Sequence, residues 1–171
     1  MRADVAASKS WTDALLPRVK QLIANYLITE APFKEDARHG TDLIVLTLEA
    51  KRIAVRLRHA DQAARYSEQF TIRSARPSGA ETELAKVISG WGDYLFYGFE
   101  HPENPFDLGP WLLGDLKVFR LWHSRQLALG RKPWIEKHNT DGSSDFHAYR
   151  ICDLPSEFII ARKRVDPPAA T

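Results

Sequence analysis

Arginines alternate with branched apolar residues in residues 51–58, whose sequence is KRIAVRLR. Successive side chains of a β-strand point to opposite faces, so the apolar residues face a core and the arginines share the other face. The predicted strand at residues 68–74 and its continuation add two more arginines. Guanidinium groups bind phosphate oxygens through two parallel hydrogen bonds. We therefore predict a surface that contacts a nucleic-acid backbone through Arg52, Arg56, Arg58, Arg73 and Arg76.

The charge distribution along the chain allows a second interpretation of these arginines. Residues 51–76 hold seven Lys/Arg and two acids (net +5), residues 77–115 hold one Lys and seven acids (net −6), and residues 116–137 return to net +5 with six Lys/Arg and one acid. Basic strands next to an acidic helix predict salt bridges within the fold, whereas a basic stripe predicts nucleic-acid binding. Under the first interpretation Arg56 and Arg73 pair with Asp42, Glu68, Glu83 or Asp93.

The elements that would position these residues follow from the apolar pattern. An amphipathic helix is predicted over residues 11–28, followed by three strands of one sheet at residues 41–48, 51–58 and 68–74. A second helix begins near Ala80 and ends near Gly92, since Gly90 and Gly92 weaken it. Its buried stripe is Leu84, Val87, Ile88, Trp91 and Leu95. Later segments are an aromatic strand (94–99), a loop (100–110), a strand (111–115), a helix (116–129), a strand (146–152) and a last element (154–161).

The fold class predicted from this order is α/β, with a mixed central β-sheet flanked by helices. Its domain spans residues 11–164, between a flexible tail at 1–10 and a disordered tail at 165–171. The aromatic strand is irregular, so some of its rings are expected to be exposed, where they would stack on bases or form a protein interface.

The order helix, three strands, helix, strand resembles the PD-(D/E)XK nuclease superfamily, which implies a restriction-endonuclease-like core. The resemblance rests on residues 41–46 (TDLIVL) followed by residues 52–58 (RIAVRLR). Asp42 matches the first acid of the family motif, Glu30 loosely matches the helical acid, and the acid-x-Lys positions fall on Arg56 and Arg58. Because a cation repels a metal ion, Arg56 implies that the usual Mg²⁺ or Mn²⁺ site is degenerate.

A rearranged metal site is the alternative that the resemblance allows. Asp42 would be catalytic together with Glu83 and Lys86, which lie one helical turn apart. The metal ligands would be Asp42 and Glu68. The protein would then be a nuclease that uses Mg²⁺ or Mn²⁺; otherwise no cofactor is expected.

Three functions therefore stay open at this point. The first is a nucleic-acid-associated protein with a degenerate nuclease-like site, for which the habits of the family indicate a phage or mobile-element origin. The others are an active metal-dependent nuclease and a non-catalytic accessory or inhibitor protein that binds another protein. The single cysteine, Cys152, rules out an internal disulfide. We expect a cytoplasmic protein without a membrane segment; the oligomeric state is left open.

Overall fold

The computed structural model describes residues 2–27 and 51–164. The predicted strand at residues 41–48, which carries Asp42, lies outside the described residues, as does Glu30. The helices are α1 (Arg2–Leu27), α2 (Ala63–Tyr66), α3 (Glu83–Ile88) and α4 (Leu116–Ala128). The strands are β1 (Ile53–Arg58), β2 (Gln69–Ala75), β3 (Tyr94–Glu100), β4 (Leu108–Asp115), β5 (Ile135–His138), β6 (Asp145–Arg150) and β7 (Ile159–Lys163).

The described strands form two sheets. The first has the order β1-β3-β4-β7, with β1 parallel to β3 and the other pairs antiparallel. The second is antiparallel, with the order β2-β6-β5. The predicted α/β class with a mixed sheet and flanking helices is confirmed.

The prediction that residues 51–58 and 68–74 share one sheet is wrong. Strand β1 pairs with β3, and β2 pairs with β6 in the other sheet. Strand β3, whose residues Leu95 to Phe99 are all buried, is a central strand between β1 and β4. The apolar pattern shows which residues of a strand are buried but does not show which strand is its neighbour.

Two apolar cores cover the two faces of the mixed sheet. On one face, Leu15 and Val19 of α1 pack against Phe96 and Leu113. On the other face the mixed sheet packs against the second sheet, α3 and α4, with Phe70 at the centre of this larger core. Phe96, Tyr97 and Phe99 are consequently at most 3% exposed, so the prediction of exposed rings is wrong for these three residues, whereas Tyr94 at the start of β3 is half-buried.

Helix α3 is shorter than the apolar pattern predicts. It ends at Ile88, and the φ angles of Gly90 and Gly92 are +101° and +81°, which are costly in an α-helix. Trp91 is 59% exposed and Leu95 belongs to β3, so the predicted buried stripe stops at Val87.

The two longer helices agree better with the sequence. The carboxylate of Asp115 caps α4 by accepting hydrogen bonds from the backbone N–H groups of Lys117 (2.7 Å) and Val118 (3.1 Å). Gly130 follows its end with φ +69°. Helix α1 begins at Arg2 and so extends through the segment predicted as a tail. Within residues 2–27 and 51–164, no helix combines the length and apolar character that a membrane span requires.

Candidate anion-binding site

Strand β1 directs two arginines toward the second sheet. Leu57 is buried in the core beneath α1, and side chains alternate along a strand, so its neighbours Arg56 and Arg58 point to the opposite face. There they meet β2 and β6, where Arg73 is the cross-strand partner of Phe146. We refer to Arg56, Arg58 and Arg73 as the guanidinium cluster.

The ring of Phe146 is the platform on which the guanidinium cluster lies. The Cζ atoms of Arg56, Arg58 and Arg73 are 5.0, 5.9 and 5.6 Å from the ring centroid. Phe146 itself is 7% exposed. Cations within about 6 Å of an aromatic centroid are attracted by the ring quadrupole. The ring therefore helps to hold three like charges close together.

One described carboxylate, that of Glu83, pairs with arginines of the guanidinium cluster. Glu83, the first residue of α3, forms an ion pair with Arg56, and its Oε1 is 3.9 Å from Nη1 of Arg73. The backbone N–H of Arg73 also donates to Glu83 Oε2 at 3.4 Å. No other described carboxylate forms a salt bridge with the cluster. Three positive charges and one negative charge leave a formal charge of +2.

Arg58 is the member of the cluster whose described partners are neutral. Its Nε donates to the hydroxyl of Tyr97 at 3.1 Å, and its Nη2 donates to Oγ1 of Thr71 at 2.7 Å. The two hydroxyl oxygens are 3.3 Å apart, so they hold the guanidinium from one side. An arginine has five N–H donors. Arg58 is thus fixed in orientation while it retains donors for a further acceptor.

Burial makes the positive charge of Arg56 unfavourable. Its side chain is 17% exposed, and desolvation by burial lowers its pKa from the ordinary value of an arginine. Glu83 opposes this change, whereas the charges of Arg58 and Arg73 lower the pKa further. Arginine stays protonated in proteins despite such changes. An anion bound next to the cluster would relieve this unfavourable electrostatic environment.

A cavity of about 170 Å³ opens beside Arg58. It lies between the two sheets, next to the short connection that contains α2 and next to β5. Its walls combine aromatic rings with the side-chain amides of Gln62 and Gln69. The guanidinium cluster therefore has an adjoining space in which a ligand that binds Arg58 can extend.

Comparisons with protein-family models, curated proteins and solved structures found no match. The proposals below therefore rest on the residues of this chain and their geometry.

Two of the five predicted phosphate contacts lie away from the guanidinium cluster. The guanidinium of Arg52 is 4.8 Å from the ring centroid of Trp91, and its backbone N–H donates to Asp93 at 2.8 Å. Arg76 follows the end of β2 and is exposed. No hydrogen bond or ion pair among the described residues joins either arginine to the cluster.

The predicted catalytic and metal-binding acids are separated. Glu68 precedes β2 and pairs with Arg162 at 2.6 Å, whereas Glu83 packs beside Arg73, about 16 Å further along the strand at about 3.3 Å per residue. Lys86 is exposed in the last turn of α3.

The described candidate ligands do not fit a divalent cation. The carboxylate of Glu83 is shared by two guanidinium groups, and that of Glu68 is bound by Arg162. Cations at both carboxylates would repel a metal ion. Among residues 2–27 and 51–164, no group of three or more His, Cys, Asp or Glu is arranged to hold one.

The sequence did not predict the uncharged residues that hold the guanidinium cluster in place. Thr71 and Tyr97 fix Arg58, and Phe146 supports all three arginines. The alternation at residues 145–150 predicts a strand, but no local signal shows that this strand pairs with β2. The missing information was therefore the pairing of distant segments.

Proposed function

We propose that this protein binds nucleic acid, with the guanidinium cluster in contact with backbone phosphates. The observation that carries the proposal is the excess of positive charge: the cluster has three guanidinium groups, one carboxylate pairs with two of them, and the described partners of Arg58 are hydroxyls. A phosphodiester has one negative charge and oxygens at the spacing that a guanidinium fork recognises. Two of them would balance the formal charge of the cluster.

The salt-bridge interpretation of these arginines accounts for only part of their charge. Glu83 pairs with Arg56 and Arg73, as that interpretation expects. Such pairing positions the two guanidinium groups and leaves Arg58 without an acid. The guanidinium groups of the cluster are therefore fixed in position and still carry a net positive charge. A preorganised anion site requires this combination.

The resemblance to the PD-(D/E)XK superfamily agrees with the same class of ligand. We propose that α1, β1, α3 and β3 correspond to a restriction-endonuclease-like core; the crossover from β1 to the parallel strand β3 passes through α3, which supports this assignment. The departure is β2, which belongs to the second sheet. Arg56 replaces the metal-binding acid and pairs with Glu83, so we propose binding without metal-dependent cleavage.

Binding of a labelled single-stranded 12-mer, followed by fluorescence anisotropy over a series of salt concentrations, tests this proposal. We expect the affinity to fall as salt rises, because phosphate contacts release counterions. Arg58→Gln should weaken binding about ten-fold and lower the log–log salt slope by about 0.7. Arg125→Gln is the matched control, because Arg125 is exposed on α4.

Two results would overturn the proposal. One is the absence of binding at low salt, which would favour a protein-binding module that uses exposed rings such as Phe106, which is 73% exposed. The other is binding that does not depend on salt. Cleavage that requires Mn²⁺ and is lost in both Asp42→Ala and a chelator would contradict the non-catalytic part and support the rearranged nuclease site.

A further inference from the structure

The cavity beside Arg58 has room for a flat aromatic ring. Its volume is about 170 Å³, whereas an engineered cavity of about 150 Å³ accepts benzene. The cavity is therefore large enough for the ring of a nucleic-acid base.

Aromatic side chains form part of the wall of the cavity. Tyr66, Tyr97 and Phe146 contribute aromatic rings from α2, β3 and β6. Tyr97 and Phe146 are buried, at 3% and 7% exposure, so their positions are fixed by the core. Bases that are separated from their neighbours stack on aromatic side chains of this kind.

Two amides give the cavity hydrogen-bonding capacity. Gln62 and Gln69 line it and are half-buried, and neither side-chain amide forms a hydrogen bond with another residue of 2–27 or 51–164. Each such amide has two N–H donors and one carbonyl acceptor. The pairing edge of a pyrimidine likewise presents both donors and acceptors. The two glutamines can therefore satisfy a base that has left its own pairing partner.

Arg58 connects the cavity to the phosphate site, because it belongs to the guanidinium cluster and also lines the cavity. We propose that the cavity receives one unpaired base of a single-stranded nucleic acid, whose adjoining phosphates bind the guanidinium cluster. This inference rests on the proposed function. It requires a single strand because a base inside a duplex is stacked and cannot enter a protein cavity.

The test uses oligomers that differ in one base. A 12-mer with abasic sites throughout has the sugar–phosphate backbone and its charges, and a second 12-mer adds one central thymine. We expect the wild-type protein to bind the thymine-containing oligomer about ten-fold more tightly, because stacking of one base provides a gain of this order.

The variant Gln69→Ala tests whether the preference for the thymine-containing oligomer comes from the cavity. It should lower that preference several-fold and leave the affinity for the abasic oligomer unchanged. Gln126→Ala is the control, because Gln126 is half-buried on α4 and does not line the cavity. Thermal unfolding of both variants checks that they are folded.

The outcomes separate the inference from the function on which it rests. If neither oligomer binds at low salt, the proposed function fails. If both bind equally, the function stands and the base-binding inference is overturned. A thymine preference that Gln69→Ala leaves intact would place the base elsewhere and would also overturn it.

Discussion

Replacement of Glu83 by glutamine should lower stability and raise nucleic-acid affinity at the same time. The carboxylate of Glu83 forms an ion pair with Arg56, and its Oε1 lies 3.9 Å from Nη1 of Arg73. Glu83→Gln retains the shape and one acceptor oxygen but removes the negative charge. The formal charge of the cluster then rises from +2 to +3, which disfavours the folded state and favours a bound polyanion.

The stability effect follows from the burial of the pair. Side-chain exposure is 17% for Arg56 and 44% for Glu83. Removing one partner of a fully buried pair costs about 3–5 kcal/mol, and an exposed pair is worth about 0–1 kcal/mol. A half-exposed pair with one retained acceptor lies between these limits. We expect the free energy of unfolding to fall by about 1–2 kcal/mol.

The affinity effect follows from the lost repulsion. A phosphate about 4 Å from the carboxylate is repelled by about 1 kcal/mol in water and about 4 kcal/mol at an effective dielectric constant near 20. The exposure of Glu83 favours the lower value, which corresponds to about five-fold tighter binding. The log–log salt slope should steepen by about 0.7 for single strands.

Urea denaturation followed by tryptophan fluorescence measures the first effect, and anisotropy over a salt series measures the second. Glu81→Gln is the control, because it makes the same charge change two residues earlier at an exposed position. It should change the free energy of unfolding by no more than about 0.5 kcal/mol. If Glu83→Gln and Glu81→Gln behave alike in both assays, Glu83 does not neutralise the cluster and the reasoning is refuted.

Two further predictions concern the larger core. His123 and His147 stack on Trp134 at centroid distances of 5.5 and 4.2 Å, and burial lowers the pKa of both histidines from 6.5. The unfolded chain therefore binds more protons below pH 6.5, so the free energy of unfolding should fall from pH 7 to pH 5. In urea titrations at these pH values, His123→Gln should reduce this decline. A decline that is unchanged in the variant would contradict the prediction. A Cβ at Gly114 would lie 2.6 Å from Cε2 of Phe158. Gly114→Ala should therefore lower the free energy of unfolding by about 1–3 kcal/mol in the same assay. A decrease below about 0.5 kcal/mol would contradict this prediction.

The local sequence pattern predicted the helices and strands better than it predicted which strands pair with each other. The alternation in residues 51–58 correctly placed Arg56 and Arg58 opposite Leu57, and Gly130 correctly marked the end of α4. The pairing of β2 with β6 was missed, because hydrophobic periodicity reports which face of a strand is buried and carries no information about its neighbour.

The same limit applied to the candidate site. Strand β1 supplied a local row of arginines, whereas the position of Arg73 depended on the second sheet. The roles of Thr71, Tyr97 and Phe146 depended on how the two sheets pack.

The pairing of β2 with β6 also governs when the site can form during synthesis. Gln69 pairs with Arg150, so β2 leaves the ribosome long before its partner, whereas the hairpin between β5 and β6 closes a short loop. Closing the longer loop costs roughly 4 kcal/mol of chain entropy before any contact compensates. A nascent chain that ends before Asp145 would expose Phe70 and lack the ring of Phe146. The guanidinium cluster therefore assembles on the ring of Phe146 only after β6 has emerged from the ribosome.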